Sequence, residues 1–284
     1  MIRTDNLKKS SAVLLVCGIA VAGLLLHRLA GFLIRKLPIE TYWYQRLLIQ
    51  TVSALLSCGW LFLFRKQFVL REKGRTFRTY CIPVILAFLY CGVVICRQTF
   101  GYGGTLRPVP ELIAFALTML LVGVSEELLH RGVILNILTA AFGTDTFPGA
   151  VLCCFIGGTL FGLIHLFNLF SGIAPSAVIV QTIGAAGAGW LFCALYLRSR
   201  NIYWVIVLHA LNDFGSMSRQ GLFTGNGTVE NAIENELLTP GASLLTIVIS
   251  AWSTVILFGA LTLLLLRKEK MQYPDAETER RMAE

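Results

Sequence analysis

The chain reads as an all-α membrane protein, a bundle of about eight transmembrane helices. Two observations lead there. Hydrophobic residues make up 56% of the 284 residues and charged residues only 14%, against about 25% charged in a soluble domain. Eight apolar stretches also approach the roughly 20 residues that a spanning helix needs.

The stretches follow one another with short linkers, and the chain is expected to form a single membrane domain, residues 1–284. Ser11–Leu33 comes first, behind Lys8 and Lys9. It is long, lacks a small-residue cleavage site and precedes further spans, so it reads as an anchor and not a signal peptide. Leu47–Phe64, Tyr80–Phe100 and Glu111–Phe142 are the next three. Gly149–Phe170, Ser176–Leu197, the short Ile202–Met217 and Leu244–Leu266 complete the series. Residues 269–284 form a polar tail.

The net charge of +8 calls for no nucleic acid, because basic residues gather in linkers. Arg65, Lys66, Arg71, Lys73, Arg75 and Arg78 fall between spans two and three. Arg198 and Arg200 follow span six, and Arg267, Lys268 and Lys270 follow span eight. With eight crossings these share one side, which the positive-inside rule makes cytoplasmic, together with both termini. Arg35, Lys36 and Arg46 of the first linker break the rule mildly. The 215–241 loop, with Glu230, Glu234 and Glu236, falls outside. The eight cysteines include no C-x-x-C pair and read as small apolar residues. The sequon Asn226-Gly227-Thr228 matters only in a cell that glycosylates proteins.

Span four breaks the apolar pattern with VGVSEELLHRGVI. An ionised group costs at least about 2.5 kcal/mol at the bilayer centre, so such a cluster persists only if paired, wet or functional. Glu127 and Arg131 are four apart and share a helix stripe. Glu126 lies about 100° round the helix and faces elsewhere. One division has Glu127 and Arg131 neutralising each other while Glu126 points into a cavity. A structural alternative pairs one acid with Arg131 and the other with His130, and His130 itself is expected at an interface or as a local partner. Span five carries His165 and Asn168, with Gly158-x-x-x-Gly162 suited to close helix approach. Span six has Gly184, Gly187 and Gly189 for tight packing, and Gln181 without an assigned role. Span seven places His209 and Asp213 on one face beside Asn212. A shared wet pocket lined by Glu126, His165, His209 and Asp213 satisfies all these groups at once.

Glu126-Glu127-x-x-x-Arg131, Phe161-x-x-x-His165 and His209-x-x-x-Asp213, in that order on three spans, resemble the CPBP family of intramembrane proteases. That family includes the type II CAAX prenyl endopeptidases and the bacteriocin-processing and self-immunity membrane proteins. The resemblance covers Glu111–Met217, with 111–217 as catalytic core. The family usually carries Asn or Asp at the position of Asp213, and an Asp there leaves open whether it donates or accepts a hydrogen bond. The resemblance implies an endopeptidase acting on a membrane-associated protein or peptide, with Glu126 as the base that activates water. His165 would hold that water or share its proton, His209 with Asp213 or Asn212 would stabilise the oxyanion, and Glu127 and Arg131 would fix the backbone and rotamer of Glu126. Two histidines and a carboxylate also make an acceptable zinc set, so Glu126, His165 and His209 are candidate ligands of a divalent metal. No H-E-x-x-H occurs, and metal-free water activated by Glu126 is the preferred reading. The alternatives are a non-catalytic scaffold or peptide-binding immunity protein of the same fold, and a proton-coupled transporter. The absence of a repeat counts against the last.

Overall fold

The computed structural model describes Ile2, Thr4, residues 7–72, Gly74, 81–225 and 244–267. Lys73, Arg75, Arg78, the acidic residues of the 226–243 segment, the sequon, Lys268, Lys270 and the 269–284 tail lie outside the described residues. Among those described the chain is helical, and the one extended pairing is an isolated bridge between Leu106 and Phe223. The helices are α1 (Lys9–Ile34), α2 (Tyr42–Leu63), α3 (Cys81–Thr99), α4 (Val109–Glu127), α5 (Asn136–Phe142), α6 (Phe147–Leu163), α7 (Pro175–Ser199), α8 (Ile202–Leu222) and α9 (Leu244–Leu265). A π-helical segment, Leu128–Leu135, joins α4 to α5, and a 3₁₀ segment, Ile164–Ser171, extends α6.

Each apolar stretch of the sequence corresponds to one of these spans. The seventh differs most at its end. Residues 218–222 continue α8 instead of opening a loop, and they carry Ser218, Arg219 and Gln220, which hydropathy alone does not extend. Among the described residues, five spans are long and apolar enough to cross a membrane: α1, α2, α4 through α5, α6 with its 3₁₀ extension, and α7. Helices α3 and α9 contribute shorter apolar stretches, Val84–Thr99 and Val255–Leu265. Large apolar side chains such as Leu14, Leu55, Leu89, Val93 and Ile256 are exposed round the outside. An outward apolar face with backbone groups satisfied inside helices is what lipid requires of an integral membrane protein.

Helix α4 packs between α2 and α8, α6 lies along α7, and α7 also meets α9. Glycines set two of these approaches. A Cβ at Gly158 would meet the Trp190 backbone nitrogen at 2.4 Å, and one at Gly189 would meet the Gly158 Cα at 2.7 Å. The α6–α7 crossing therefore uses Gly158 and Gly189, while Gly184, expected to pack tightly, faces open space. At the α4–α8 crossing a Cβ on Gly123 would strike the Ile206 carbonyl at 2.7 Å. Removing that Cβ lets α8 come close enough to bring His209 against Glu127. The largest core cluster surrounds the π segment, with Leu128, Val133, Ile134 and Leu135 buried among residues of α1, α6, α7 and α8.

The two ends of the bundle differ. At one end Arg200 pairs with Glu72 at 2.8 Å, and the Tyr196 hydroxyl donates to the same carboxylate at 2.9 Å. At the other, Arg107 pairs with Glu111 at 2.9 Å and its Nε donates to the Gln220 carbonyl. The α1–α2 turn and Ser171 also belong to this second end.

Candidate active site

The π segment follows directly on the two glutamates, and such widened turns are frequent at functional sites. The Asn136 amide nitrogen donates to the Arg131 and Gly132 carbonyls at 2.8 and 3.0 Å. It also approaches the Tyr196 hydroxyl at 3.3 Å, which connects the π segment to Glu72. On the other flank Ser57 of α2 donates its hydroxyl to the Ser125 carbonyl at 2.7 Å. The backbone carrying Glu126 and Glu127 is thus held by side chains from several helices.

The neighbouring glutamates go to different places. Glu127 is sealed, with no exposed side-chain surface, and its Oε1 accepts from Arg131 at 2.8 Å. Arg131 is equally sealed. It donates to the Gly189 carbonyl at 3.1 Å and lies over the rings of Phe161 and Phe192, 4.8 and 5.4 Å from their centroids. The same Glu127 oxygen lies 2.6 Å from His209 Nδ1. An ionised carboxylate only accepts, so the proton of that bond sits on Nδ1. This fixes the ring and turns Nε2 the other way, 3.7 Å from Glu126 Oε2 and 3.5 Å from Asp213 Oδ2.

Glu126 lines a cavity of about 480 Å³, and its side chain keeps 34% of its surface exposed there. The cavity wall also carries His165, His209, Asp213, Asn168 and Gln181. Phe161 organises the histidines. The rings of His130, His165 and His209 meet its ring edge-on at 5.0, 5.1 and 5.8 Å. His165 Nδ1 bonds the Phe161 carbonyl at 2.9 Å, leaving its other nitrogen unengaged by that bond. Asn212 donates to Asp213 at 3.5 Å.

Two sequence expectations change. His130 is neither interfacial nor paired with an acid; it is buried edge-on against Phe161. His209, expected to work with Asp213 or Asn212, is also anchored by Glu127. Sequence reasoning also missed part of the wall. Gln181 accepts from Asn168 at 2.9 Å, and Asn168 accepts from Arg28 at 3.0 Å. Arg28 donates further to Ser171 and the Phe167 carbonyl, and His27 bonds Ser53 at 2.6 Å. The signal was present: a His-Arg pair inside a membrane-length helix is as anomalous as the glutamates.

Among the described residues no group of three or more His, Cys, Asp or Glu side chains is placed to hold a metal ion. Glu126, His165 and His209 share the cavity without forming such a set, so the residues do not fit the zinc arrangement as they stand. Cys17, Cys58, Cys91, Cys96, Cys153, Cys154 and Cys193 are free thiols.

No curated protein and no solved structure matches the chain. Residues 108–215, which hold all three motifs, match the family model described as type II CAAX prenyl endopeptidase Rce1-like. That match bears out the resemblance to the CPBP family of intramembrane proteases.

Proposed function

We propose that the protein is an intramembrane endopeptidase that hydrolyses a peptide bond of a membrane-associated protein or peptide, with water activated by Glu126. The observation that carries this reading is the division of His209. Its Nδ1 is pinned on Glu127 while its Nε2 faces Glu126 and Asp213 within the cavity. A ring held by one nitrogen offers the other in a fixed direction, the preorganisation that transition-state stabilisation needs.

In this scheme Glu126 takes a proton from water as the water oxygen adds to the peptide carbonyl. His165, in the same cavity wall, holds that water. The carbonyl oxygen becomes an oxyanion facing His209 Nε2, which donates when the imidazole is the cation. Asp213, 3.5 Å from that nitrogen, supplies counter-charge to the cation. As the carbon–nitrogen bond breaks, the proton on Glu126 passes to the leaving amine. Glu127 and Arg131 are positioning residues: they act on His209 and on the backbone of Glu126, not on the substrate. No step passes through a metal.

The orientation we propose keeps both termini cytoplasmic, on the strength of the basic linkers. Eight crossings then put the cavity end, with Arg35, Lys36 and Ser171, on the opposite side. A reporter fused at the C-terminus that works only in the cytoplasm should be active. A reporter inserted between Lys36 and Tyr42 should not.

Function is tested by comparing the membrane proteomes of cells carrying the intact protein and Glu126→Gln at equal protein level. A peptide bond cut only with Glu126 in place supports the enzyme. Identical proteomes, with substrate-like peptides still bound, would instead favour a peptide-binding scaffold.

A further inference from the structure

The cavity has a second polar wall, outside the segment that matches the family. Helices α1 and α2 and their connection contribute Arg28, Arg35, Lys36 and Arg46 to its lining. The same cavity is lined by two carboxylates, Glu126 and Asp213. Arg28 is committed to the 3₁₀ segment through Ser171, Asn168 and the Phe167 carbonyl. Arg35, Lys36 and Arg46 form no ion pair with any described acid. Lys36 rests over the Phe32 ring at 4.3 Å, and the buried Arg46 Nε has no hydrogen-bond partner. Several like charges on one wall repel each other. They also run against the charge bias of the other linkers. Arg35 and Lys36 are exposed and Arg46 is half-buried, and all three contribute to the lining of the pocket.

We propose that this wall is an anion subsite of the same pocket, formed by Arg35, Lys36 and Arg46 on a base held by Arg28, and that it takes a carboxylate of the peptide substrate. This deepens the endopeptidase reading and rests on it. The carboxylate belongs either to the peptide C-terminus or to an acidic side chain. It enters the mouth, pairs with the three cations, and leaves the apolar part of the peptide to lie toward Glu126. Arginine and lysine here choose among membrane peptides by charge, while Glu126, His165 and His209 supply the chemistry.

The test measures binding and so does not depend on cleavage. Glu126→Gln protein is placed in nanodiscs of zwitterionic lipid, and in a second set with added anionic lipid, and titrated with three fluorescent Leu/Ala heptapeptides. One has a free C-terminal carboxylate, one a C-terminal amide, and one an amide with an internal Glu. The free acid should bind at least about fivefold more tightly than the plain amide, the worth of one partly exposed ion pair. The Glu peptide separates the two carboxylate sources: tight binding only by the free acid assigns the terminus, and tight binding by both admits a side chain. Combining Arg35→Gln, Lys36→Gln and Arg46→Gln should erase the preference, whereas Glu40→Gln, in the same connection, should retain it. The acid-to-amide comparison needs no change in the hairpin, so misfolding of the triple variant cannot hide the answer. Equal binding of all three peptides, including no binding of any, would overturn the subsite. So would a preference that survives the triple variant, or binding that follows anionic lipid content instead of peptide charge. Preference without cleavage by the unaltered protein would keep the subsite and sink the endopeptidase.

Discussion

Glu126 and Glu127 are adjacent in the chain and live in opposite environments. Glu127 is closed off with Arg131 and His209, and Arg131 in turn meets the Gly189 carbonyl and the rings of Phe161 and Phe192. Glu126 looks into a cavity whose wall carries many polar and charged groups among apolar ones. The difference comes from one helical step of about 100°, and it separates two tasks. A buried pair, once broken, leaves a charge that nothing solvates, so the sealed side holds geometry. A carboxylate facing a cavity can change protonation without dismantling the bundle. His209 joins the sides, with one ring nitrogen in each.

The sealed side should show the largest stability effects. Glu127→Ala or Arg131→Ala should each destabilise by about 3–5 kcal/mol, the cost of leaving one buried charge unpaired, read as a lower midpoint of thermal unfolding in detergent. A midpoint within a degree or two of the parent for both would erase the distinction between the sides.

His209→Ala sharpens the comparison because it touches both. It removes one hydrogen bond from Glu127, a loss of about 1–3 kcal/mol, and it removes the proposed oxyanion donor. Both the melting point and the turnover should fall. A variant that melts early yet turns over normally would show that the cavity face of the ring has no chemical role.

Gly158→Ala tests whether the α6–α7 crossing supports the sealed cluster. The added methyl would overlap Trp190 and Gly189, at a cost of about 1–3 kcal/mol. Because Gly189 also accepts from Arg131, Gly158→Ala combined with Arg131→Ala should be less than additive. Simple additivity would mean that the crossing and the ion pair are independent.

The smallest change belongs to the cavity wall. Gln181→Leu removes one acceptor from Asn168 and should cost about 1 kcal/mol or less. A larger drop would make the wall structural, like the sealed side.

The helices were legible because lipid demands long apolar runs, and each run in the sequence matched a span. The pairing of Glu127 with Arg131 was legible too, since spacing within one helix defines a shared face. The link from His209 to Glu127 was not. It depends on how closely α4 and α8 approach, and that is set by Gly123, which carries no signal of its own without its neighbour. Arg28 stood out as a charge within an apolar span, but its partners did not, for the same reason: the Arg28–Asn168–Gln181 chain joins α1, the 3₁₀ segment and α7. The widened helix at Leu128–Leu135 also escaped, because π and α turns share the same residue preferences.

The central claim is that Glu126 performs chemistry while Glu127 holds structure. It is tested most directly by measuring peptide cleavage and thermal unfolding together in Glu126→Gln and Glu127→Gln. The account predicts that Glu126→Gln loses at least about a hundredfold in turnover, the worth of a general base, with an unchanged melting point. Glu127→Gln should lower the melting point clearly. Turnover that survives Glu126→Gln, or a melting point that falls equally in both, would contradict it.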